Sequence, residues 1–301
     1  MTLPPTFVPN LATTMSVFSQ LTYAQYQAGL SNPNYDGSVA GLTPAPPAGF
    51  VQTASFKAPE IDLRHNSSVL KNLGTNVDLR NLGMLAGLVF GLQKVYCGFA
   101  GTLNGINILA LRGTQSGEEW VADISAFQVD VLLFGETFLH TKAHLGFLTL
   151  YAFLEHQVHA ATQAFNPANP CIATGHSLGH PLALFSALTA KLGVYAGASP
   201  EMVQLYSFAG PRVGDPAFAT TYGQLIPSSF RIVNLADVVP IAPPSHIIGL
   251  TYQHVGQEWS YLSQTGNIGS NHSLSDNYMV AVSPPHQVET NAPRTYPVSG
   301  L

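Results

Sequence analysis

Gly175-His176-Ser177-Leu178-Gly179 has the spacing G-x-S-x-G, between a short apolar run (Cys171 to Thr174) and a helix-like run (Leu182 to Leu188). A serine on a sharp strand-to-helix turn lifts its hydroxyl clear of a sheet, and glycines on either side let the backbone close that turn. The same turn leaves the Leu178 N–H at a helix N-terminus, where a developing oxyanion is stabilised. A serine hydroxyl is a poor nucleophile until a base takes its proton, and the base must be oriented by a third group.

On such a scaffold the acid and then the histidine follow the serine in the chain. The acids after Ser177 are Glu201, Asp215, Asp237, Glu258, Asp276 and Glu289, and the histidines are His180, His246, His254, His272 and His286. Asp237 follows Asn234-Leu235-Ala236 at the end of a strand-like run, and loops leaving the carboxyl ends of strands are where open α/β sheets meet their ligands. Asp215, before Pro216, reads as a helix N-cap. His272 lies in the polar stretch Gly269 to Ser273, beyond the last predicted strand. His246, closer to Asp237 in sequence, is its competitor, whereas His254 sits within an alternating run and reads as a side chain of the sheet. His176 cannot reach around to serve its neighbour Ser177.

The elements that must position these groups follow from periodicity. Residues 10–28 carry apolar side chains at helical spacing, with Gly29 as a stop signal. Strands are predicted over 50–57, 92–99 and 106–111, the last two joined as a hairpin by the turn residues 101–105. Further strands are predicted at 127–134, 203–209 and 230–235, and a terminal hairpin at 251–262. A long helix is predicted from His144 to about Phe165, ended by Pro167 and Pro170. Residues 62–92 show no clean period, and the tail from Ser283 is proline-rich and irregular. Helix-length segments alternate with short apolar runs, which predicts an α/β fold with a mostly parallel central sheet flanked by helices. Nothing in 1–301 marks a second domain.

Of the 301 residues, 46% are hydrophobic and only 9% charged, with a net charge of −5, against about 25% charged in ordinary soluble domains. This composition offers no basic footprint for nucleic acid and no polybasic segment for anionic lipid. No apolar run reaches the roughly 18 residues of a transmembrane helix, and no lysine or arginine precedes Lys57 to form a charged leader region. Cys97 and Cys171, the only cysteines, read as two buried thiols or as one disulfide. No Cys or His pair has metal-ligand spacing, and no cofactor is expected. Sequons stand at Asn66 and Asn271, and a glycan at the latter would crowd the site around His272.

Taken in order, Leu111-Arg112-Gly113-Thr114, Trp120, Asp123, His144 to Phe147, the serine elbow, Phe208 to Asp215 and Asn234 to Pro240 resemble the class 3, fungal-type triacylglycerol lipases over roughly residues 90–280. The resemblance implies an α/β-hydrolase core with Ser177 as nucleophile, Asp237 as orienting acid and His272 as base. It implies an oxyanion hole from the Leu178 and Thr114 N–H groups. It also implies a lid near 115–125, with Trp120 on its apolar face and Asp123 holding Thr114 or the hinge; ordinary core packing is the other reading of Trp120. The lid segment is polar for its length, which weighs against strong interfacial activation. The family continues the elbow with small residues, so His180-Pro181 implies local repacking or a side chain turned toward the pocket. The implied substrate is a lipid or other ester, with adsorption to a lipid–water interface as a further expectation. Phospholipase A1, feruloyl-type esterase and thioesterase chemistry stay open on this scaffold, as does a non-catalytic lipid-binding module.

Overall fold

The computed structural model describes residues 6–59, 93–113, 127–247 and 249–284. Its centre is a seven-stranded sheet of β1 (Phe50–Pro59), β2 (Lys94–Leu103), β3 (Ile106–Leu111), β6 (Cys171–His176), β7 (Val203–Phe208), β8 (Ser229–Asn234) and β11 (Gln257–Tyr261), in the spatial order β1-β2-β3-β6-β7-β8-β11. The first three strands pair antiparallel, and all pairings from β3 to β11 are parallel. The predicted sheet is therefore present, with an antiparallel edge built from the 94–111 hairpin. The central strands are buried on both faces, which is why they read as unbroken apolar runs.

Side chains alternate between two cores. Cys171 and Ala173 of β6 face one cluster, which includes Leu182, Leu184, Phe185 and Leu188 of the helix Gly179–Leu192 (α4). Ile172 faces the other, with Ala12, Met15, Phe18 and Leu21 of α1 (Pro9–Ser31). α1 is also anchored by polar contacts: the Ser19 hydroxyl lies 3.0 Å from that of Thr174, both buried. A helix without a charged residue in its first or last turn is thus seated directly behind the strand that leads to the serine.

Several expectations need correction. α1 runs past Gly29 to Ser31; this glycine is a close approach, since a Cβ there would stand 2.6 Å from the Tyr96 ring. The predicted strand 127–134 shrinks to β4 (Gln128–Asp130), which pairs only with β5 (Lys142–His144). Beyond it a 3₁₀ segment, Leu132–Phe138, turns Phe134 inward to stack on Phe185 with ring centroids 5.7 Å apart. The long helix after His144 is two helices, α2 (Leu145–Ala152) and α3 (Glu155–Gln163), broken where Leu154 drops into the core. The region 251–262 is no hairpin. β10 (Leu250–Thr251) pairs back with β9 (His246–Ile247), and β11 joins β8 in parallel. Alternation alone could not tell a hairpin strand from a parallel edge strand, because both expose one face.

Asp215 does cap a helix, as predicted. Its carboxylate accepts the Phe218 N–H at 2.7 Å at the start of α5 (Pro216–Leu225). Cys97 and Cys171 are two buried thiols, not a disulfide, and burial raises the Cys171 thiol pKa far above its ordinary value. Residues 60–92 and the tail from 285 lie outside the described residues.

Candidate active site

The elbow connects β6 to α4 with Ser177 at φ 58°, in the left-handed region. Its amide bonds the Phe208 carbonyl of the neighbouring strand at 2.9 Å, and its carbonyl accepts the His180 N–H at 2.9 Å. Both flanking glycines are required by backbone rather than by flexible neighbours. A Cβ on Gly175 would stand 2.2 Å from the Gly179 carbonyl oxygen, and one on Gly179 would stand 2.4 Å from that of Leu111. Leu178 is the N-cap of α4 and buried, so its amide sits at the positive end of a fourteen-residue helix.

Beyond the carboxyl ends of β8 and β11, two segments converge. Asp237 follows β8 with a fully buried carboxylate, and its Oδ2 lies 2.8 Å from Nδ1 of His272. The same oxygen accepts the Tyr278 hydroxyl at 2.7 Å, and Oδ1 accepts the Val239 N–H at 2.9 Å. Three donors on one buried carboxylate fix its plane and offset its desolvation. Burial, followed by the Asp237 charge, pushes the Tyr278 hydroxyl well above its ordinary pKa, so it remains a donor. His272 ends the short helix α6 (Ile268–His272), not a loop. Asn234, the last residue of β8, ties that helix down by donating from its side chain to the Asn271 and Ser263 carbonyls at 3.0 and 2.8 Å.

The other candidates separate. His246 is exposed, and its ring contacts Ser245 at 3.3 Å, so Asp237 is engaged by His272 instead. His254 lies outside any strand, and its Nε2 bonds the Pro240 carbonyl at 2.8 Å. His180 is wholly buried against Gly210, on which a Cβ would stand 2.4 Å from the imidazole. Gly210, just after β7, is what gives this buried ring its room. Burial, then the charge of Arg231, lowers the His180 pKa to about 3. The Asn271 amide donates to the Ala236 carbonyl, and its oxygen accepts the Thr265 N–H, so this sequon side chain is committed to the fold. Thr114, Trp120, Asp123 and the whole 115–125 segment lie outside the described residues.

Reasoning from the sequence missed Tyr278, and it placed Tyr23 only as one of the spaced side chains of the leading helix. It also dismissed His176, whose ring lies 4.6 Å from that of His272. Among the described residues no three His, Cys, Asp or Glu side chains group as a metal site, and no helix is long and apolar enough to cross a membrane.

The family model described as "Lipase (class 3)" matches residues 108–247. The chain is 33% identical over 157 residues to a lipase of Rhizomucor miehei, a match spanning 50% of this chain and 40% of the relative. It is 30% identical over 167 residues to the secreted mono- and diacylglycerol lipase A of Penicillium cyclopium, covering 52% and 48% of the two chains. The matched region thus spans less than half the length of each of these relatives. The solved structure of the Rhizomucor miehei triacylglyceride lipase superposes with a TM-score of 0.58 over 83% of this chain and 79% of its own, at 21% identity. That likeness identifies the fold as α/β-hydrolase. Residues 108–247 are similar to the class 3 lipases.

Proposed function

We propose that this chain is a class 3 lipase-type serine carboxylic-ester hydrolase acting on glyceride esters, with Ser177 as nucleophile, His272 as base and Asp237 as orienting acid. The observation that carries the reading is the 2.8 Å contact between Nδ1 of His272 and the buried Asp237 carboxylate, at the carboxyl end of the sheet where the Ser177 elbow also opens. With Nδ1–H committed to Asp237, Nε2 is left with its lone pair and serves as the base.

In the proposed reaction His272 Nε2 takes the Ser177 proton as Oγ attacks the ester carbonyl. The carbonyl π-electrons move to oxygen, and the Leu178 amide at the head of α4 donates to that oxyanion. Thr114 is the second proposed donor. When the tetrahedral intermediate collapses, the alcohol leaves with the proton held on His272, and an acyl-serine remains. Water, deprotonated by the same imidazole, attacks the acyl carbon; the carboxylic acid departs and Ser177 regains its proton. The reaction needs no electron donor, cofactor or metal.

Glycerides are favoured because the relatives are a lipase and a mono- and diacylglycerol lipase by name, and because the surroundings of the site suit lipid. Leu235, Ile241, Leu262 and Ile268 are exposed large aliphatics on the segments carrying Asp237 and His272. No Asp, Glu, Lys or Arg occurs between residues 259 and 275. An uncharged rim with exposed aliphatic side chains lowers the cost of resting against an acyl surface, and adsorption to a lipid–water interface is part of the proposal.

The experiment is tributyrin hydrolysis followed through the solubility limit of the substrate, with Ser177→Ala as the blank. A Ser177-dependent rate that rises as droplets form supports a lipase. A Ser177-dependent rate that saturates below the limit supports an esterase on dissolved esters. No Ser177-dependent rate on any ester would refute the reading and leave a lipid-binding module of this fold.

A further inference from the structure

His176 stands beside the proposed reacting groups without a part in the ester chemistry. Its Nε2 lies 2.8 Å from the main-chain carbonyl oxygen of His272. A carbonyl only accepts, so Nε2 carries a hydrogen. Its Nδ1 lies 2.9 Å from the Tyr23 hydroxyl. Burial, reinforced by His272 next to it, holds His176 well below the ordinary imidazole pKa, so the ring is neutral and Nδ1 accepts the Tyr23 O–H. Gly113 lies beside the Tyr23 oxygen. A Cβ on Gly113 would stand 2.5 Å from that oxygen, so glycine is what admits the hydroxyl. Both hydrogens point the same way: from Tyr23 to His176, and from His176 to the His272 carbonyl.

We infer that Tyr23 is a positioning residue for the reaction, holding the main chain of His272 through His176 and so setting the imidazole against Ser177. This rests on the assignment of Ser177, Asp237 and His272 made above. Its physical basis is that Asp237 fixes only one ring atom of His272, whereas orienting an imidazole also requires its main chain to be held. His272 ends a five-residue helix, too short to hold itself rigid. The His176 contact supplies the second fixed point, and displacements of about 1 Å can cost roughly 100-fold in rate. α1 does not need this hydroxyl to stay docked, because Ser19, Met15 and Phe18 already seat it. It contributes Tyr23 from outside the stretch that the family model matches.

The test compares wild type, Tyr23→Phe, His176→Gln and the double variant on a soluble p-nitrophenyl butyrate assay, with Ser177→Ala as the control. Tyr23→Phe should lower kcat about tenfold, with KM within about twofold and the phosphonylation rate of Ser177 by a fluorophosphonate falling in parallel. If Tyr23 acts through His176, adding Tyr23→Phe to His176→Gln should cause little further loss. Should Tyr23→Phe not purify folded, His176→Gln alone must show the same kcat loss at constant KM. Wild-type kcat in Tyr23→Phe, a matching rise in KM, or losses that multiply in the double variant would overturn the positioning role and leave the serine mechanism standing. A rate that survives Ser177→Ala would instead overturn the mechanism, and the positioning role with it.

Discussion

Acid should destabilise this protein through His180, to a predictable extent. The folded chain keeps its imidazole neutral down to about pH 3, because the ring is wholly buried and faces the Arg231 charge. The unfolded chain takes up a proton near pH 6.5. A depressed histidine pKa means that the unfolded state binds the proton first. The stability is therefore whole above pH 6.5 and drains as the pH falls from 6.5 toward 3. Between pH 7 and pH 5 the loss from this one group is about 2 kcal/mol, or roughly 4 °C in Tm for a chain of this size. Neither ring nitrogen has a hydrogen-bond partner among the described residues, so His180→Leu removes the titration without breaking a bond and fits beside Gly210. Differential scanning fluorimetry of both proteins at pH 7 and pH 5 gives the comparison. His180→Leu should lose about 4 °C less than wild type over that interval. Equal losses in the two proteins would refute the reasoning.

Three further outcomes follow from the geometry. Gly179→Ala places a Cβ 2.4 Å from the Leu111 carbonyl oxygen and should cost at least about 3 kcal/mol, read as a shifted urea midpoint or a failure to purify folded. Tyr278→Phe removes a donor from the buried Asp237 carboxylate; a hydrogen bond to a charged group is worth about 1.5–3 kcal/mol, so kcat on a soluble ester should fall about 10- to 100-fold, and an unchanged kcat would contradict the role given to this hydroxyl. Asp215→Ala removes the α5 cap and should lower stability by about 1 kcal/mol in urea denaturation, with kcat unchanged.

The turn that carries Ser177 is legible in the sequence because its requirements are local. Gly175 and Gly179 are glycines because backbone oxygens lie where their Cβ atoms would be, and the flanking strand and helix carry their own periodicity. Asp237 is legible for a related reason, as the acid that directly follows a buried strand. The pairing of Asp237 with His272 rather than His246 is not local. It depends on β11 joining β8 in parallel and carrying the chain past the site before α6 brings His272 back. Read as a hairpin, residues 251–262 would end the sheet differently. Tyr23 and His176 are hidden more deeply. Tyr23 lies 153 residues before its partner, on a helix whose other apolar side chains are plain core. The link exists only because α1 crosses behind β6, and no spacing in the sequence records that crossing.

The central claim is that Ser177 is an activated nucleophile and that His272 activates it. Its most direct test is intact-mass spectrometry after brief exposure to a fluorophosphonate, run on wild type, Ser177→Ala and His272→Ala. The account predicts one phosphonyl adduct on wild type, located to Ser177 by peptide mapping, with fluoride displaced. It predicts none on Ser177→Ala and labelling slowed by at least about 100-fold in His272→Ala. An unlabelled wild type, equal labelling of Ser177→Ala, or full-rate labelling of His272→Ala would contradict it.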